Sequence, residues 1–188
     1  MSKIGALGYA LLCVLHKGPL TGYEILQRMR KPVGYYWTAP QSQIYPALAR
    51  LTEQGLIDHD EEPGPGPRPR KTHRLTPAGR DALSAWLTQP AEPPAPRDET
   101  ILKTYAQLAA DPGGMSTFYQ GEIVRLRNQL ADYQAQRDAL IGTGAEEPDH
   151  PAFGAYATLT LGCRSLPVRI EWCEWLVAQM AHRRPRPD

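Results

Sequence analysis

With 188 residues, 41% apolar and 22% charged, the chain can bury a real core and fits one or two domains; its ordinary composition excludes a wholly disordered protein. The net charge of +1 hides an asymmetry. Residues 1–90 carry 11 Lys and Arg against 7 Asp and Glu, whereas residues 91–188 carry 10 against 13, so the first part is the better polyanion binder. Three scattered cysteines, Cys13, Cys163 and Cys173, do not form a zinc pattern. Their odd number argues against a disulfide framework and fits a reducing cytoplasm, with Cys13 expected to pack in a core. Lys3 and the apolar run behind it mimic the start of a signal peptide. No small-residue cleavage site follows, and no apolar run is long enough to span a bilayer, so a cytoplasmic location is expected.

Residues 4–16, with Leu7, Leu11, Leu12, Val14 and Leu15, predict a first helix buried nearly all round, stopped by Gly18-Pro19. Thr21 and Glu24 form a capping box for a second helix over 22–30, which turns Ile25 and Met29 inward. An aromatic cluster, Tyr35, Tyr36 and Trp37, leads to Pro40. The stretch 41–57 then predicts a short amphipathic helix ending at Gly55, with Ile44, Leu48 and Leu51 as its apolar stripe. Its opposite face is polar, and Gln41, Ser42 and Gln43 sit in the first turn, where backbone N–H groups attract phosphate and glutamine can read base edges. An ordinary core helix with a solvated outer face has the same pattern.

Residues 56–61 and 71–75 read as two strands around EEPGPGPRPR, which cannot be helical and carries Arg68 and Arg70 at its far end, with Lys71 directly after. That suits a β-wing on a sugar-phosphate backbone, and equally a solvated surface loop. Thr76-Pro77 caps a fourth helix over 78–87, with Leu83, Trp86 and Leu87 as its buried side. The prolines of residues 90–96 mark a domain boundary. Beyond it, 98–109 is a short helix with Ile101, Leu102, Tyr105 and Leu108 apolar, closed by Asp111-Pro112-Gly113-Gly114. Residues 115–141 carry a heptad repeat, Tyr119, Leu126, Tyr133 and Leu140 at one position and Ile123 and Leu130 at the other, which serves either a dimer or an intramolecular hairpin. The last helix, 152–182, holds Tyr156, Leu166, Ile170, Trp172, Trp175 and Leu176, with a kink or break expected at Pro167.

Four segments, GYALLCVLHKGPLTGYEI, WTAPQSQIYPALARLTEQGLI, KTHRLTPAGRDALSAWL and RDETILK, resemble PadR family transcriptional regulators of the subgroup with a longer helical C-terminal domain. A tyrosine is common in that family where this chain has His73. The resemblance covers nearly the whole chain and implies a homodimer.

The expected fold is mainly α with a small β-wing: a winged helix-turn-helix over 1–90 and an α-helical dimerisation domain over 91–188. The expected function is a homodimeric repressor that binds double-stranded operator DNA as an inverted repeat and is released by a small hydrophobic or aromatic effector. Tyr23, Gln41, Ser42, Gln43, Tyr45, Arg68, Arg70 and Lys71 are the DNA candidates. Tyr119, Ile123, Leu126, Leu130, Tyr133, Leu166, Ile170, Trp172, Trp175 and Leu176 are the dimer candidates. Trp86, Tyr156, Trp172 and Trp175 are the effector candidates, although such aromatics also serve simply as core. The alternatives are a small-molecule sensor and a protein-binding winged-helix adaptor. No Gly-rich phosphate loop joins a strand to a helix and no His-x-x-x-His pair exists, so no enzyme, cofactor or metal is expected.

Overall fold

The computed structural model describes residues 4–30, 37, 39–63, 70–91 and 97–183, and the chain divides into two compact units, Met1–Pro93 and Pro94–Asp188. In the first, the order is α1 (Ala6–Leu15), β1 (Leu20–Thr21), α2 (Gly22–Arg30), α3 (Gln41–Glu53), β2 (Ile57–Glu62), β3 (Arg70–Leu75) and α4 (Pro77–Leu87). The sheet is antiparallel in the order β1-β3-β2, with His73 of β3 opposite both Leu20 and His59. Sequence periodicity missed β1, because two residues are too short to show alternation.

One apolar core holds this unit together. Leu11, Leu12, Val14 and Leu15 of α1 meet Ile25, Leu26 and Met29 of α2, Ile44, Ala47, Leu48 and Leu51 of α3, and Leu56, Ile57, Leu75 and Leu83. The expected all-round burial of α1 is corrected, since Ala6 and Cys13 are exposed on its outer side. Cys173, not Cys13, is the fully buried thiol. On α4 only Gly79 and Leu83 are buried. Trp86 stacks on Tyr9 with ring centroids 4.6 Å apart and Leu87 is exposed, because the last turn of α4 projects past the core.

The second unit contains α5 (Glu99–Tyr105), a 3-10 turn (Gln107–Ala109), α6 (Pro112–Ile141) and α7 (Phe153–His182). Asp111-Pro112-Gly113-Gly114 does not close a helix; it opens one. The Asp111 carboxylate accepts from the Gly114 N–H at 2.7 Å and Pro112 takes the first turn, where its missing N–H costs nothing. α6 and α7 pack as a hairpin along the heptad seam. Tyr119, Ile123, Leu126 and Tyr133 are buried within the chain, as are Leu159, Leu166, Ile170, Cys173, Leu176 and Met180 of α7.

The seam is therefore an intrachain core, which corrects its reading as a surface for a second copy. Seven of the ten dimer candidates, Tyr119, Ile123, Leu126, Tyr133, Leu166, Ile170 and Leu176, are spent there. Leu130 and Trp172 are half-buried, and Trp175 is exposed. Gly162 lies where the Tyr133 ring crosses α7; a Cβ there would stand 2.4 Å from the ring. Of the kink or break expected at Pro167, the break does not occur: α7 runs unbroken through it, with Leu166 and Ile170 buried on either side.

α5 buries no residue. Ile101, Leu102, Tyr105 and Leu108 are all exposed, and polar ties hold the segment instead. Asp98 caps α5 and pairs with Arg169 at 2.5 and 2.9 Å; the Tyr119 hydroxyl donates to Thr104 Oγ1; Arg183 donates to the carbonyls of Gln107, Leu108 and Ala110. No helix among the described residues is long and apolar enough to cross a membrane.

Candidate nucleic-acid interface

The first turn of α3, like those of α1 and α7, has no side-chain cap. Thr21, Thr76, Asp98 and Asp111 cap α2, α4, α5 and α6 with a side-chain oxygen, but α3 follows Pro40, which offers none. The Gln43 N–H donates to the Pro40 carbonyl at 2.9 Å, so the N–H groups of Gln41 and Ser42 are the ones left for an outside acceptor, at the positive end of the helix dipole. Gln41, Ser42 and Gln43 on this turn are all exposed. Ile44, Ala47, Leu48 and Leu51, buried on the other face, lock the helix so that this turn points outward. Pro46 has no N–H to give, so the Ser42 carbonyl also lacks its usual helical partner.

Beside α3 lies the N-terminus of α2. The Tyr45 ring lies over Gly22, where a Cβ would meet it at 2.9 Å, so only glycine lets the phenol settle there. Tyr23 is 69% exposed and its hydroxyl accepts from Gln27 Nε2 at 2.9 Å. The Thr21–Glu24 capping box is formed as expected: Glu24 Oε2 accepts from the Thr21 N–H at 2.8 Å and from its hydroxyl at 2.7 Å. These bonds hold the Glu24 carboxyl below its ordinary range, with Arg70 adding to the effect.

The helices and the sheet enclose an open cleft of about 1170 Å³, lined by Glu24, Tyr45, Thr52 and Glu53 from the helices and by Thr21, His59, Arg70, Lys71 and His73 from the strands. Its cations are already in contact with carboxylates: Lys71 Nζ lies 2.9 Å from Glu61 Oε1, and Arg70 lies 3.9 Å from Glu24. On the opposite face of the sheet Arg74 bridges Asp58 and Asp60. The structure thus brings Tyr23, Tyr45, Arg70 and Lys71 around one cleft and sets Gln41, Ser42 and Gln43 on the adjoining turn; Arg68 lies outside the described residues.

Of the effector candidates, Trp86 belongs to the first unit and Tyr156, Trp172 and Trp175 to the second. Trp172 packs against Met115, Tyr119, Leu176 and Met180. Sequence reasoning singled out His73 only as a departure from the family's tyrosine, and missed His59 and the pair they form. His59 and His73 are cross-strand partners with ring centroids 5.5 Å apart, and Nδ1 of each is buried without a hydrogen-bond partner among the described residues. Burial, aided by His59 and Lys71, pushes the His73 imidazole below its ordinary value. The alternation Ile57, His59, Glu61 was the available signal, since it sends all three to one face.

A helix pair followed by a hairpin of this topology defines a winged helix-turn-helix protein. Comparison with known proteins narrows this class. Residues 11–85 match the model of the Transcriptional regulator PadR-like family, and residues 96–181 match Virulence activator alpha C-term. The negative transcriptional regulator PadR of Bacillus subtilis is 31% identical over 179 residues, covering 93% of this chain and 97% of that protein. A crystal structure of Bacillus subtilis PadR in complex with operator DNA superposes with a TM-score of 0.86 at 28% identity, over 95% of this chain and 99% of that one. The Vibrio cholerae virulence activator AphA gives 0.74 at 26% identity, over 94% and 99%. The chain belongs to the PadR-like family of transcriptional regulators.

Proposed function

We propose that this protein is a homodimeric repressor that binds an inverted-repeat operator through two winged helix-turn-helix units and releases it on binding a small aromatic effector. The observation that carries the DNA reading is the uncapped, exposed first turn of α3, with Gln41, Ser42 and Gln43 on a helix whose other face is locked in the core. The turn enters the major groove, where the glutamine amides read base edges. Tyr23, Tyr45, Arg70, Lys71 and Arg68 bind the flanking phosphates and hold the register. Bacillus subtilis PadR has been crystallised with operator DNA, which supports the same partner for this chain.

Pairing uses the apolar side chains that the hairpin leaves outside. Ile101, Leu102, Tyr105 and Leu108 along α5 and its following turn, and Leu161, Val168 and Trp175 on α7, are each more than half exposed. A face of this kind is closed by a second copy in a symmetric dimer. The effector reading rests on Tyr156, Trp172 and Trp175 as aromatic material and on the Bacillus subtilis PadR structure in complex with p-coumaric acid. A gel shift with DNA from upstream of the protein's own gene tests the assignment. Gln43→Ala is expected to change sequence preference, whereas Lys71→Ala weakens all duplexes alike and lowers the salt slope by about one. Unchanged binding by both variants would contradict it.

A further inference from the structure

The contacts proposed with DNA leave the two histidines of the cleft without a task. Glu61 connects them to the binding surface. Its Oε1 lies 2.9 Å from Lys71 Nζ and 3.5 Å from His59 Nε2, so one carboxylate oxygen faces an ammonium and an imidazole together. The Lys71 bond holds the Glu61 carboxyl below its ordinary range, His59 contributing less. The titratable and charged groups around them are Tyr23 and Glu24 from α2, Tyr45 and Glu53 from α3, and Arg70, Lys71 and His73 from β3. His73 stands directly across the strand from His59, and its burial leaves it a poor site for a charge.

We propose that DNA binding at this cleft is coupled to uptake of one proton at His59, through exchange of the partners of Glu61. The inference rests on Lys71 being a phosphate ligand. In the free protein Lys71 neutralises Glu61, and its ammonium opposes a second positive charge beside it. When a phosphate draws Lys71 away, Glu61 keeps His59 as its remaining partner in this cluster and a new anion arrives nearby. Both changes favour the imidazolium. The carboxylate then gains a charged partner and the complex gains a cation facing DNA. Burial disfavours a charge on His73, so the proton is assigned to His59.

The test is the affinity of the full chain for a mixed-sequence duplex in low salt, measured at constant ionic strength from about pH 8 to about pH 6, the range in which histidine titrates. Affinity is expected to rise on acidification, by at most about tenfold per pH unit for one proton. Glu61→Gln keeps the exposed strand position, should flatten this dependence, and should bind more tightly than the parent at the alkaline end because Lys71 is already released. His59→Gln should flatten it as well. A flat profile in the unmodified protein, or a slope retained in both variants, would overturn the proposal. Failure of the unmodified protein to retain the duplex at any pH would instead overturn the DNA reading, and this inference with it.

Discussion

Gly79 shows how closely the first unit is fitted at the level of single atoms. A Cβ at this position would lie 1.9 Å from the Leu56 carbonyl oxygen and 2.9 Å from its carbon, so the obstacle is backbone and cannot swing aside. The same junction carries the Thr76 N–H donating to the Leu56 carbonyl at 3.1 Å and the Thr76 hydroxyl donating to Gly55 at 2.7 Å. α4 is thereby pinned to the turn between α3 and β2. Gly79→Ala should destabilise the unit by about 3 kcal/mol or more, read as a lower denaturant midpoint, because the clash can be relieved only by moving α4. A loss below about 0.5 kcal/mol, the range of ordinary surface changes, would contradict this packing. At this scale the sequence was legible where a residue acts on its own backbone. Thr21 and Thr76 follow from local rules of capping. The His59–His73 pair was not legible, because their meeting depends on the register of two strands separated by a proline-rich turn.

Among the elements, α5 is the one held by polar ties in place of burial. Asp98 serves it twice, accepting from the Ile101 N–H at 3.1 Å as cap and receiving the Arg169 guanidinium through two bonds. The Arg169 bonds, with help from the cap, lower the Asp98 carboxyl to about 2 from 3.8. A carboxyl depressed on folding contributes stability that is present above its unfolded value and lost as pH falls through its folded one. Asp98→Asn keeps a competent cap but removes the charge. It should cost about 1 kcal/mol at neutral pH, given partial solvent screening, and the gap from the parent should close as pH falls from 3.8 toward about 2. Denaturant melts at neutral pH and near the lower limit measure this. A gap independent of pH would assign the effect to the cap. The heptad spacing in α6 told which residues are buried but not which chain covers them, since an intrachain hairpin and a dimer demand the same period. The same limit applies to Asp111-Pro112-Gly113-Gly114, whose residues suit both the end of one helix and the start of the next.

For the whole molecule, two units with separate apolar cores divide the work proposed here: one presents the uncapped turn of α3 and the other supplies the surface for pairing. One recognition helix touches too few base pairs for strong selection, and a two-fold axis doubles the contact while imposing symmetry on the site. The division into units was legible from the prolines of residues 90–96, and the exposed apolar face of α5 was not, because apolar residues at helical spacing carry no label for inside or outside. The most direct measurement is selection of bound sequences from a library of randomised duplexes with the full chain. The enriched sites should form an inverted repeat whose half-site centres lie about 10 base pairs, one helical turn, or a multiple of it apart. The Gln43→Ala variant should lose preference at matching positions in both halves. Enrichment of a single half-site, or none above the starting library, would contradict the account.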